Sequence, residues 1–236
     1  MPDFSKRSYE PEIMDDLEME GEELASTLRQ IANVNRWLGG TAVILNGIKK
    51  ILRHGNKPKI LKIADFGCGG GEILRAIALW ARKKGIKTEL TGYDANAFTI
   101  AFAREQSTDF PEIKFEQLDI FKFNSTENQF DITLCSLFLH HFKEDEIIKI
   151  IKLLYPASSK AFLINDLQRS ALAYYLFKFV TFTLNASKMV RSDGLLSIRK
   201  SFRKKDLRFF AESAYVKNYS IKWKWAFRYE LLLLKN

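Results

Sequence analysis

The chain has 236 residues, of which 47% are hydrophobic and 28% charged, and its formal net charge is +9. That balance excludes wholesale disorder, and the length is enough for one sizeable core without covalent or metal staples. Two cysteines outside any C-x-x-C pair, Cys68 and Cys135, and three histidines, His54, His140 and His141, exclude a disulfide scaffold and argue against a resident metal.

The N-terminal run MPDFSKRSYEPEIMDD is polar and acidic and contains no apolar signal core. The longest nearly uncharged apolar stretch, 171–184, has 14 residues and includes Lys178, too few to span a bilayer. A soluble cytoplasmic protein is the expectation. Charge is distributed unevenly. Residues 188–235 hold thirteen Lys/Arg against four acids, whereas the first thirty residues hold nine acids against three bases. Such asymmetry fits either a solvated basic surface or an anionic partner at the C-terminal end.

Along the chain, 22–52 has helical 3–4 spacing through Leu24, Leu28, Ile31, Val34 and Leu38, and breaks at Gly39-Gly40. A second helix over 41–53 closes at the stop signal 54–58. From 59 the pattern alternates. Strands are predicted at 59–65, 88–93, 113–118, 130–135 and 160–165, with helices at 72–84, 95–106 and 144–154. Strands alternating with helices imply right-handed crossovers and a parallel sheet covered on both faces. The runs 219–225 and 227–233 are strands separated by almost nothing, hence an antiparallel hairpin at one sheet edge. The predicted fold is a single α/β domain over 1–236: a Rossmann-like, doubly wound, mostly parallel seven-stranded sheet with that hairpin. An N-terminal helical lid (1–55) and an insert (167–205), whose segment 189–201 reads as a loop, complete it.

The most informative stretch is Asp65-Phe-Gly67-Cys68-Gly69-Gly-Gly71-Glu72. A buried strand enters alternating glycines and a helix opens directly after them, which lets a ligand approach the backbone and a helix N-terminus. The sixth position of a dinucleotide fingerprint counted from Gly67 is Glu72, and no phosphate-loop G-x-x-x-x-G-K-[ST] exists. The motif resembles the first motif of class I S-adenosylmethionine-dependent methyltransferases, an acid followed by G-x-G-x-G.

Three further landmarks of that family follow in register. Asp94, followed by Ala95, ends the second strand 27 residues after Gly67; Asp119-Ile120 follows the third; Ser136 to Phe142 follows the fourth. The resemblance implies S-adenosylmethionine as cofactor, with Asp94 on the ribose hydroxyls and Asp119 near the adenine. Asp65, Gly67, Cys68, Gly69, Gly71, Ala95, Ile120 and Ser136 would line the same site, and Arg36 would reach it from the lid. Cys68 and Cys135 carry no nucleophilic role. The N/D-P-P-Y/F loop of base-amine methylation is absent at Cys135-Ser136-Leu-Phe138, which favours the small-molecule branch over nucleic acid.

Methyl transfer to a hydroxyl benefits from a base, and His140 and His141 stand past the fourth strand, at the ligand-binding end of the sheet. One should face the cleft and the other should pack. Trp37, Asp166, Arg169 and Tyr174 are candidate acceptor contacts. The apolar run 171–184 could line an acceptor pocket, dock a partner or lie on a membrane. An RNA acceptor held by the basic tail is the competing reading, and a non-catalytic cofactor-binding scaffold is a third.

Overall fold

The apolar run after the glycine break becomes strand β1 (Leu61–Phe66), buried on both faces except at Lys62, as a central parallel strand must be. In this computed structural model, residues 2–53, 58–126, 129–183 and 186–235 are described. His54, most of the stop signal 54–58, and Leu184 lie outside them. Strands β2 (Thr88–Asp94), β3 (Ile113–Gln117), β4 (Phe130–Ser136), β5 (Ser158–Leu167), β6 (Tyr219–Lys224) and β7 (Arg228–Leu234) complete one sheet. Its order is β3-β2-β1-β4-β5-β7-β6. Strands β1 to β5 are parallel, and β7 runs against both β5 and β6, so six strands share one direction. The order reverses between β1 and β4, which opens a crevice at their carboxyl ends.

Helices α2 (Gly40–Ile51) and α3 (Glu72–Lys83) cover one face, where Ile44, Ile48, Ile63, Leu74, Ile77 and Leu163 pack together. Helices α5 (Glu144–Ala157) and α8 (Lys204–Ser213) cover the other, with Phe66, Ile150, Leu154, Phe162 and Phe210. Helix α4 (Ala97–Glu105) starts two residues later than the periodicity predicts, because the Asn96 side chain accepts the Thr99 N–H at 2.7 Å and caps it. Helix α1 (Glu22–Trp37) lies across the carboxyl edge: Leu24, Ala25 and Leu28 pack on Phe102 of α4. Its far end reaches β7, where Asn35 accepts a hydrogen bond from Arg228 at 3.0 Å.

After β5 the chain forms α6 (Ala171–Thr183) and then α7 (Lys188–Lys200). The second of these corrects the sequence reading of 189–201 as a loop. Asp193-Gly194 has the composition of a turn, but the Asp193 carboxylate is taken up by the N–H groups of Ile13 and Met14. Gly194 is there for packing: a Cβ would meet the Phe177 ring at 2.4 Å. Ser187 caps the helix by accepting the Val190 N–H, and Met189, Val190 and Ile198 are buried.

Candidate active site

The loop between β1 and α3 holds Gly67, Gly69 and Gly71 at φ of +71°, +51° and +75°, a region that side chains other than glycine avoid. Their surroundings differ. A Cβ on Gly67 would sit 2.1 Å from the Phe138 ring, and one on Gly71 would sit 2.6 Å from Phe115. A Cβ on Gly69 would meet nothing nearer than Leu28 at 3.9 Å. Two glycines therefore serve internal packing, and the third faces open space. The Asp94 carboxylate accepts the Gly69 N–H and the Asn96 N–H, both at 3.1 Å, so the end of β2 fixes the shape of the loop.

Three carboxylates gather here. Burial pushes the pKa of Asp65 well up, with Glu72 and Asp94 adding repulsion. Glu72 and Asp94 are raised as well, again by burial first. Asp65 Oδ1 is buried without a hydrogen-bond partner, and so are Thr27 Oγ1 on α1, Asn165 Oδ1 on β5, and Arg228 Nε and Glu230 Oε1 on β7. Buried acids that repel one another, one of them with an unpartnered oxygen, fit a polar ligand that carries positive charge. Cys68 and Cys135 are buried with their thiols shifted well up, which leaves them unreactive.

Past β4 the chain turns through Leu137, at φ +55°, into a short 3-10 turn over Leu139–His141. The two histidines divide there. His140 is buried; its Nδ1 lies 2.7 Å from Asp166 Oδ1 on β5, and its backbone N–H donates to Oδ2 of the same carboxylate at 3.3 Å. Burial alone would lower its pKa, but the Asp166 and Glu12 carboxylates outweigh it and raise the value. His141 is a quarter exposed, and its Nδ1 lies 2.6 Å from Asp15 Oδ1. The rings are 4.3 Å apart.

Asp15 belongs to an N-terminal strap that crosses this edge. Arg7 donates to the carbonyls of Lys200, His140 and Phe142 at 2.7, 3.1 and 2.9 Å, and stacks on Phe202. Glu12 and Asp15 pair with the buried Lys200 ammonium at 3.2 and 3.0 Å, and Glu10 pairs with Arg199. Asn96 donates to the carbonyls of Leu17 and Met19. The acidic start of the chain thus takes up part of the basic excess of its last quarter. Among the described residues Glu12, His140 and His141 are close enough together to hold a metal, but Lys200 already supplies the cation that Glu12 faces.

Residues 58–216 match the family model described as a methyltransferase domain. The chain belongs to that family. It is an S-adenosylmethionine-dependent methyltransferase of class I. The methyltransferase is similar in fold to the plantazolicin methyltransferase crystallised with S-adenosylhomocysteine, at 18% identity and TM-score 0.64 over 90% of this chain and 94% of that one. It is also similar to magnesium protoporphyrin IX methyltransferase from Synechocystis, at 14% identity and TM-score 0.58 over 84% of both chains. Human N-acetylserotonin methyltransferase shares 14% identity at TM-score 0.64, over 90% of this chain and 56% of that one. No curated protein matches the sequence.

The remaining sequence candidates are distributed unevenly in the methyltransferase. Asp119 caps the short turn that contains Ile120 by accepting the Phe121 N–H at 3.0 Å, and Ile120 is buried. The Ala95 carbonyl accepts from Gln117, and Ser136 Oγ accepts from Asn165 Nδ2 at 3.0 Å. Arg36 turns back to Asn33 on its own helix, and Trp37 is 73% exposed. Tyr174 packs edge-on against Phe4. Two further acceptor candidates have partners within the chain. Asp166 is engaged by His140, and Arg169 is buried with its three nitrogens on Phe4 O, Ser201 O and Asp206. Both tie the chain together, because a carboxylate or guanidinium at that depth needs internal partners. The strap carries no periodicity or motif by which sequence could have revealed it.

The raised carboxylates set a pH dependence for the methyltransferase without cofactor. Their native forms keep protons that the unfolded chain has already released, so stability falls as pH rises from the ordinary carboxylate range through the raised values. Asp65→Asn is expected to flatten that slope and stabilise the free protein near neutrality by about 1–3 kcal/mol. The same change should weaken cofactor binding. Thermal denaturation across pH, with calorimetry alongside, checks both signs; a destabilised variant at neutral pH would sink the idea.

Proposed function

We propose that the methyltransferase transfers its methyl group to the oxygen of a small, apolar or aromatic, hydroxylated acceptor, with His141 as general base. The observation that carries this reading is the His141–Asp15 pair at 2.6 Å. A carboxylate on Nδ1 fixes the tautomer and leaves Nε2 as the nitrogen that takes a proton. Burial keeps the Asp94 pKa raised, and His141 is among the groups that act against that rise, which supports a place for it near the cofactor's edge of the crevice.

The backbone of Gly67, Cys68, Gly69 and Gly71, the carboxylates of Asp65 and Asp94, and Ala95, Asp119, Ile120 and Ser136 would hold the cofactor, with Arg36 contributing from α1. When bound, S-adenosylmethionine supplies a methyl group activated by its sulfonium. The chain's own work is alignment and exclusion of water, and α1 and the strap both cross the edge where that is required. Trp37 and Tyr174 supply flat apolar surface for the acceptor. The plantazolicin methyltransferase was crystallised with a pentazolic desmethylPZN analog, and a polyazole partner there supports an apolar, aromatic acceptor here. RNA is disfavoured, because Arg199 and Lys200 of the basic quarter are already paired within the chain.

The test is turnover on a panel of phenols, enols and carboxylates with labelled cofactor. His141→Ala should lower kcat by about 10²-fold and leave cofactor affinity unchanged. Asp15→Asn should give a smaller loss in the same direction. Equal and small effects from His140→Ala and His141→Ala would remove the base, and label found only in an RNA fraction would overturn the acceptor class.

A further inference from the structure

Helix α6 has its polarity reversed. The face turned inward carries Ala173, Tyr174, Phe177 and Thr181, while the outward stripe is formed by Leu172, Tyr175, Leu176, Phe179, Val180 and Phe182. Phe179 is 66% and Phe182 72% exposed. These positions gather by helical geometry into one strip about 15 Å long. Single exposed apolar residues are ordinary, but a continuous outward stripe on a soluble domain marks a contact.

Its surroundings extend the same chemistry. Trp223 Nε1 donates to Gln168 Oε1 at 2.8 Å, three residues before α6 begins. Trp225 lies within 3.9 Å of where a Cβ of Gly39 would stand, next to the end of α1 and Trp37. All three tryptophans are exposed, and Trp223 stands by the residues that lead into α6. Positive charge borders it. Lys178 on α6, Lys188 at the start of α7, and Arg36 beside Trp37 are all exposed. Arg203 is exposed as well and donates to the carbonyl of Phe4, whose ring packs on Tyr174. Of the four acids in the last quarter, Asp206 and Glu230 are paired with Arg169 and Lys224, and Asp193 is buried against the strap.

We infer that this surface docks on an anionic lipid bilayer, with the α6 stripe in the headgroup–acyl boundary and the basic rim on the phosphates. Aromatic side chains with a polar edge favour that boundary, and Lys/Arg beside an apolar helix face favours anionic lipid. No helix among the described residues is long and apolar enough to cross a membrane, so the contact is peripheral. A second copy of the chain fits less well. A two-fold contact along α6 would bring Lys178 and its basic neighbours against their own copies.

Flotation with phosphatidylcholine vesicles, with and without phosphatidylglycerol, tests the surface on the full chain. The protein should float with the anionic vesicles, lose that binding at high salt, and bind neutral vesicles at least ~10-fold less. Phe179→Ser with Phe182→Ser should reduce anionic-vesicle binding about 10-fold or more at unchanged circular dichroism, since exposed positions tolerate substitution. Lys178→Glu with Lys188→Glu, which leaves the stripe intact, should do the same. No flotation, flotation indifferent to both pairs of substitutions, or a dimer that the serine variant dissolves while no vesicle is bound would each overturn the proposal.

Discussion

Gly69→Val is expected to leave the protein folded and remove cofactor binding, whereas Gly67→Val should destabilise it strongly. Both residues are left-handed, so each valine costs about 1–2 kcal/mol in backbone strain. The difference lies in what the new side chain meets. At Gly67 a Cβ would lie 2.1 Å from Phe138, whose ring is itself packed edge-on against Phe142, and there is no room to yield. Overpacking there adds about 1–3 kcal/mol or more, which together with the strain consumes much of an ordinary domain's stability. At Gly69 the nearest atom is 3.9 Å away, and the open side is where the cofactor would approach the backbone. Affinity should fall by at least ~100-fold, about 2.7 kcal/mol or more. Calorimetry with S-adenosylhomocysteine and a thermal melt measure the two effects separately. Wild-type affinity in Gly69→Val would mean that the cofactor does not use this side of the loop.

The second large effect concerns His140. Removing it leaves the Asp166 carboxylate buried with its chief partner gone, and His140→Ala should cost about 3–5 kcal/mol. The pair also stabilises the protein over a defined pH range. The folded pKa of His140 is raised, so its contribution is complete below the unfolded histidine value and is lost as pH rises through the folded one. Burial would raise Asp166, but His140 and the Leu167 N–H outweigh it and lower the value. Its contribution is therefore complete above the ordinary carboxylate range and is lost as pH falls through the depressed value. Stability from the pair should peak between those ranges, at mildly acidic pH. Denaturant titrations of the wild type and His140→Ala across pH would show the difference between them shrinking on both sides of that peak. A pH-independent difference would mean that the pair carries no charge.

The glycine loop, Asp94 and the alternation of strands and helices around them were legible because they depend on residues close in sequence and on a two-residue or 3.6-residue period. The histidine pair was legible in position but not in role. Only the fold shows that His140 turns inward to Asp166 and His141 outward to Asp15. The same limit applies to Gly67, whose reason for being glycine includes a ring 71 positions further on. Helix α7 was missed because Asp193-Gly194 satisfies a long-range requirement with residues that locally signal a turn. Arg169 stood at the right edge of the sheet, yet its partners come from residues 4, 201 and 206.

The strap has a consequence for how the molecule assembles. Its anchors join residues far apart in the chain: Arg7 to Lys200 spans 193 positions, and Ser197 to Glu12 spans 185. Contacts of that separation carry the largest loop-closure entropy and form after the local ones that make the sheet possible. Asp15, which lies against His141, is held by the same long-range anchors, whereas the glycine loop is closed by residues within about 30 positions of one another. The glycine loop and Asp15 therefore differ in the chain entropy that must be lost before each takes its place.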